Sequence, residues 1–201
     1  MEARRRDELL RAMLFELARN GYAEVSLERA LRASGVSAGE FEAEFADMDA
    51  CLMVAYEELI GRVLRRATAG CQSESEWPQR VRVGLIAVLD AAAAQPDMAK
   101  VMVRSFPGVR PSFYERYVDL LERFLPFMRE GREFSGLEEE LPDEVELLAV
   151  GSAESIIFGE LDAGRAERLP GLMPEILFSI LVPFLGPERA ADEMKSASAA
   201  L

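Results

Sequence analysis

The sequence predicts an all-α protein, on three observations. Apolar residues recur at the i, i+3, i+4, i+7 spacing of one helical face through most of the chain. Pro, Gly and capping Ser or Asp residues fall where those periodic stretches begin and end, and no stretch alternates apolar and polar residues as a half-buried strand does. Half of the 201 residues are hydrophobic, enough to bury a full core in one compact unit or two small domains.

The first helix is expected over residues 4–19, with Leu10, Met13, Leu14 and Leu17 on its buried stripe and Asn20-Gly21 as its stop. Ser26 is placed to cap a short helix that carries Leu27, Ala30 and Leu31. Ser34-Gly35-Val36-Ser37 then supplies a glycine for a tight turn, an apolar residue to pack between two helices, and a second cap. The next short helix sets Phe41 and Phe45 on one side. Helix, Gly-containing turn, helix is the helix-turn-helix unit, whose second helix is shaped to enter the major groove of DNA. Phe15, Tyr22, Leu27, Leu31, Val36, Phe41 and Phe45 are the expected interior of this first domain, residues 1–46.

Residues 47–201 read as a second, helical domain. It opens on a connecting helix over 47–70, where Asp47 and Asp49 suit the N-terminus as caps and as partners of the helix dipole. A polar break follows, and Trp77-Pro78 begins a helix that stops before Pro96. A short helix is expected from Met98 to Phe106 and a longer one from Ser112 to about Arg129, which Pro126 should kink or end early. Glu130 to Glu140 reads as an acidic surface loop. Helices over about 143–164 and 170–185 close the chain, and residues 187–201, small and polar, are expected to fray. The first of these two helices carries Gly151, Ser152, Ala153, Ser155 and Gly159 beside an apolar face, and the second is apolar around much of its circumference. A second apolar stripe on such a hairpin predicts a partner copy, the alternative being that one chain buries both faces.

Gly21, Tyr22, Ser26, Leu27, Ala30, Gly35, Val36, Ser37, Phe41, Phe45, Ala50 and the run Ala55-Tyr56-Glu57 together resemble the N-terminal domain of the TetR family of bacterial transcriptional regulators. The resemblance covers the first 60 residues, roughly; the helical remainder is similar in outline. It implies a homodimer formed through the last two long helices, a double-stranded DNA operator as partner, and a small-molecule effector whose binding releases a repressor from DNA. DNA contacts implied on this basis are Arg4, Arg5, Arg6, Ser26, Ser37, Ala38, Gly39, Glu40 and Glu42. The chain departs from the family where contacts are made. Family members bring basic or aromatic residues to positions that are Ala38, Glu42, Glu44 and Met48 here, and no Lys or Arg lies between Arg32 and Arg62. Phosphate neutralisation dominates DNA affinity, so Glu40, Glu42, Glu44, Asp47 and Asp49 would meet a duplex with repulsion. A carboxylate can still accept from cytosine N4 in the major groove. The alternative reading is a dimeric ligand-binding or interaction protein that keeps the frame and has lost operator binding.

Charge sharpens that choice. The formal net charge is −13, and residues 1–70 hold 10 basic and 13 acidic side chains, a net of −3. Arg4, Arg5 and Arg6 make the only local basic cluster, read either as a solubilising helix start or as an arm that reaches phosphates. No uninterrupted apolar run reaches the roughly 18 residues of a membrane span, and the N-terminus has no signal core, so a cytoplasmic protein with no membrane partner is expected.

The chain has no histidine and only two cysteines, Cys51 and Cys71, which would stand about 30 Å apart on one helix. Those facts remove the usual general base, a disulfide and a zinc site, so no enzyme and no cofactor are expected. An apolar effector cavity is the functional alternative to plain core packing for the aromatic and thioether residues of the middle helices: Trp77, Met98, Met102, Phe106, Phe113, Tyr117, Phe124 and, further on, Phe158. Arg104 or Glu154 could anchor a polar group of the ligand.

Overall fold

In the first helix the apolar stripe is what is buried: a computed structural model places Leu9, Leu10, Met13, Leu14 and Leu17 of α1 (Ala3–Asn20) at 3% exposure or less. The structure describes residues 1–71, 74–102, 115, 118–119, 122, 125–135 and 141–199. Among them every regular element is helical. They fall into two compact units, one of Met1–Arg62 with Asp97–Glu115 and one of Val63–Pro96 with Arg116–Leu201.

In the first unit α1 packs on α2 (Leu27–Ser34), and α3 (Ala38–Glu42) follows a three-residue turn, Gly35 to Ser37. The expected interior holds for Val36, Phe41 and Phe45, which are buried, with the Phe41 and Phe45 rings 5.5 Å apart. Phe15 is a correction. It follows Leu14 by one residue, about 100° round the helix, and stays 46% exposed with the Arg19 guanidinium 5.3 Å from its ring centroid. Helix α4 (Met48–Cys71) is capped by Asp47, whose carboxylate accepts from the Ala50 N–H at 2.8 Å. Asp49 instead accepts from the Tyr22 hydroxyl. Lower in α4 the Tyr56 hydroxyl donates to the Met102 carbonyl at 3.0 Å, just after α6 (Pro96–Lys100).

Cys51 of α4 is fully buried, and burial pushes its thiol up to about 12, against a small opposing pull from Arg6. The thiolate is the reactive form, so Cys51 should escape iodoacetamide in the folded protein at pH 8 and react once the protein is denatured. Mass mapping of the modified peptides checks this; rapid labelling of Cys51 in the native protein refutes it. Because the unfolded thiol ionises near 9.0 and the folded one does not, the stability this site contributes is complete below that pH and declines above it.

The second unit is organised around Trp77, the first residue of α5 (Trp77–Ala94). Its indole is wholly buried, donates to the Phe127 carbonyl at 3.0 Å, stacks on Phe134 at 6.0 Å between centroids and meets the Phe184 ring edge-on at 5.1 Å. The helix through Pro126 is not ended there. Residues 125–129 are helical and pass into a 3-10 turn, Glu130–Phe134, where an acidic loop was expected. The turn is held by its packing: a Cβ on Gly131 would lie 2.6 Å from the Trp77 ring and 2.9 Å from Phe184.

From that turn Arg132 reaches across to α7 (Val145–Asp162). Its guanidinium pairs with both oxygens of Glu146, the Nη2 to Oε2 distance being 2.9 Å. It also donates to the carbonyls of Leu141, Pro142 and Asp143 at 2.8 to 3.2 Å. Glu146 is 3% exposed, and the Arg132 guanidinium holds its carboxyl below the ordinary value of 4.5.

The last helix, α8 (Met173–Ser198), packs on α5 and α7 through Ile176, Leu177, Leu181 and Phe184. It breaks at Gly186, where φ is +76° and ψ 167°, and Pro187 restarts it with the fixed φ that suits a first turn. Residues 187–198 are therefore helical where fraying was expected, and Ala190 and Ala197 are fully buried. The stretch Pro170–Ser198 is long and apolar enough to cross a membrane by length and composition. Ile176, Leu177, Ile180, Leu181, Phe184 and Leu185 of this stretch are buried against protein, and Phe178 is half-buried.

Candidate nucleic-acid interface

The turn between α2 and α3 is set by short-range chemistry. Ser26 caps α2, its Oγ accepting from the Arg29 N–H at 3.2 Å. At the other end Gly35 adopts φ +68°, the left-handed cap that residues with a Cβ enter at a cost, and the Leu31 carbonyl accepts from Gly35 and Val36. Buried Ser34 donates to the Ala30 carbonyl at 2.9 Å, so its hydroxyl is satisfied inside the fold. Ser37 and Glu40 form a reciprocal capping box: Ser37 Oγ accepts from the Glu40 N–H at 3.2 Å while Glu40 Oε2 accepts from the Ser37 N–H at 3.0 Å. Two of the N–H groups at the start of α3 are thereby taken up within the protein.

Three arginines of α1 were expected as DNA contacts, and the structure brings two of them to acids of α3, of the residues just after it and of α4. Arg5 Nη2 stands 2.6 Å from Glu40 Oε1. Arg6 bridges Glu44 at 2.5 Å and Glu58 of α4 at 2.6 Å. Arg4 pairs with Glu8 one turn along its own helix, at 3.1 Å. The Ser37 backbone N–H and hydroxyl, then Arg5, hold the Glu40 carboxyl below its ordinary range. Arg6 is raised, first by its hydrogen bond to Glu58. These are partly exposed pairs that salt screens, each worth about 1 kcal/mol at most. Their effect on local charge is the larger matter, since they cancel acids on and beside α3.

Ala38, Gly39 and Glu42 of α3 are exposed. Among the described residues Glu42 has no ion-pair partner, in contrast to Glu40, Glu44 and Glu58. Glu58 was missed by sequence reasoning: it is separated from Arg6 by 52 residues, and nothing in its local pattern marks it.

Of the residues expected to line an effector cavity, Phe106, Phe113, Tyr117 and Phe124 lie outside the described residues, as does Arg104. Trp77 is a fully packed core residue of the second unit, and Phe158 and Glu154 are half-buried on α7 in that same unit. Met98 and Met102 are half-buried in the first unit.

No family model and no curated protein matches the chain. Solved structures do. The fatty acid degradation regulator FadR from Bacillus halodurans superposes with a TM-score of 0.78 at 16% identity, over 87% of this chain and 97% of that one. The transcriptional regulator FadR from Bacillus subtilis in complex with stearoyl-CoA does so with a TM-score of 0.67 at 17% identity, over 89% and 97%. At such identities the likeness establishes the fold, which is that of these all-helical proteins over nearly their whole length.

Proposed function

We propose that this chain is a cytoplasmic, DNA-binding transcriptional regulator, a homodimeric repressor that a small apolar effector releases from its operator. The observation that carries the reading is the α2–turn–α3 unit, capped at both ends and exposed on α3, within a fold shared with two solved FadR proteins. The Bacillus subtilis FadR structure holds stearoyl-CoA, so a long acyl chain in thioester linkage is the first effector class to test. Two recognition helices reach successive major grooves only when about one DNA turn apart, and a ligand that binds better to another spacing shifts the population away from DNA. The twofold contact is assigned to α7 and α8, within residues 143–164 and 170–185. On α7, Leu147 and Leu148 are 44% and 64% exposed, and Gly151, Ser155 and Gly159 continue toward its C-terminus.

Band shifts with the chain's own upstream DNA test the reading. Sequence-specific retardation by a dimer, weakening with salt and reversed by stearoyl-CoA, is the expected result. A folded dimer that shifts no DNA at any salt favours the second reading, an interaction protein without operator binding, for which the pairing of Arg5 and Arg6 with acids of their own chain is the specific support. The same pairing makes a further prediction. The Glu40→Gln, Glu44→Gln double variant frees arginine charge, so its non-specific DNA affinity should rise several-fold at low salt and the gain should fade as salt increases. An unchanged affinity counts against the arginines as latent phosphate contacts.

A further inference from the structure

We propose that Glu42 is the residue that sets base specificity, by accepting a hydrogen bond from the exocyclic amine of a cytosine in each half-site. The inference rests on the DNA-binding reading above and deepens it by naming one side chain and one base. Four acids stand in or near the recognition segment, and the structure separates them. Glu40 is turned back onto Ser37 and Arg5, Glu44 onto Arg6, and Asp47 onto the first turn of α4. Glu42 alone of the four is exposed without an ion pair or hydrogen bond among the described residues. At about 100° per residue it projects from the side of α3 opposite Glu40, one turn beyond Ala38.

The neighbours on that side are Ala38, Gly39 and Ala43, whose side chains are too short to hold the helix away from a groove floor. Glu42 is thus the one long polar side chain on the exposed face of α3. A carboxylate only accepts. At the major-groove edge guanine N7 and O6 and thymine O4 are acceptors, adenine sets an N7 acceptor beside its N6 donor, and cytosine presents its N4 donor with no acceptor of its own beside it. Glu42 therefore matches cytosine best: guanine and thymine edges repel it, adenine repels the second carboxylate oxygen through N7, and much of the discrimination comes from that repulsion. Arg5 and Arg6 make the arrangement tolerable by cancelling the neighbouring acids, so that a single uncompensated carboxylate enters the groove.

Selection of binding sites from a random duplex library, with the full chain at low salt, tests the proposal. The wild-type protein should enrich sites with one cytosine fixed per half-site. Glu42→Gln should move that position to adenine, since an amide pairs with adenine N6 and N7. Glu42→Ala should lose the preference there by about ten- to a hundredfold, the value of one good base contact, and leave other positions unchanged. Both variants alter an exposed side chain, and unchanged thermal unfolding confirms that they fold. Identical base preferences in all three proteins overturn the proposal while leaving the regulator reading intact. A wild-type protein that enriches no sequence overturns both.

Discussion

Replacing Arg132 by Met is expected to destabilise the second unit by about 3–5 kcal/mol, because it leaves a buried carboxylate and its neighbouring carbonyls without their donor. The substitution keeps the apolar stem and removes the guanidinium that serves both oxygens of Glu146 and the carbonyls of residues 141–143. These contacts hold the chain just before α7, so the loss should spread into that helix. The pH dependence has a definite sign. A carboxyl held below 4.5 in the folded state contributes stability that is complete above that pH and declines as the pH falls through the folded value. The gap between wild type and variant should therefore be widest near neutrality and narrow in acid. Thermal unfolding followed by circular dichroism at pH 7 and below pH 4 measures it; a gap that is absent at pH 7 or equal at both values refutes the assignment. Glu146→Gln keeps an acceptor in place and should cost less than Arg132→Met.

The second large effect is expected at Gly131. An alanine there puts its Cβ 2.6 Å from the Trp77 ring and 2.9 Å from Phe184, and neither ring is free to move. Trp77 is fixed by its hydrogen bond to Phe127 and by Phe134, and Phe184 is wholly buried. Overpacking of this kind costs about 1–3 kcal/mol, or roughly 2–4 °C of melting temperature per kcal/mol in a chain of this size. Trp77→Phe creates a cavity and strands the Phe127 carbonyl, so it destabilises alone, yet it makes room for the added methyl group. The double variant should then be more stable than the sum of the two losses predicts. Strict additivity in calorimetry would show that the two side chains do not collide.

What could be read from the sequence was what depends on near neighbours. Ser26 and Ser37 were legible as caps, Gly35 as the turn and Leu10, Met13, Leu14 and Leu17 as a stripe, because each acts over three or four residues. Phe15 was misplaced by residue type: it is apolar but lies off the stripe that Leu14 belongs to. Gly131 looked like a loop glycine because its reason is an indole 54 positions earlier in the chain. Residues 187–198 looked frayed because Ala190 and Ala197, which anchor them, leave almost no hydrophobic signature. At the candidate interface the acids of the recognition segment were visible and their partners were not. Arg5 and Glu40 are 35 residues apart, and Arg6 is 38 from Glu44. No periodicity spans such separations, so the cancellation of charge that distinguishes Glu42 is a product of the fold.

The chain has a single tryptophan, and it sits in the second of its two units. Intrinsic fluorescence therefore sees only half of the molecule: the emission of a dry indole shifts to the red when the core around Trp77 opens, whatever the helix-turn-helix segment is doing. Far-ultraviolet ellipticity sums over both halves. If the two units melt independently, the optical curves will part company, and an operator duplex should move the ellipticity transition while leaving the fluorescence midpoint where it was.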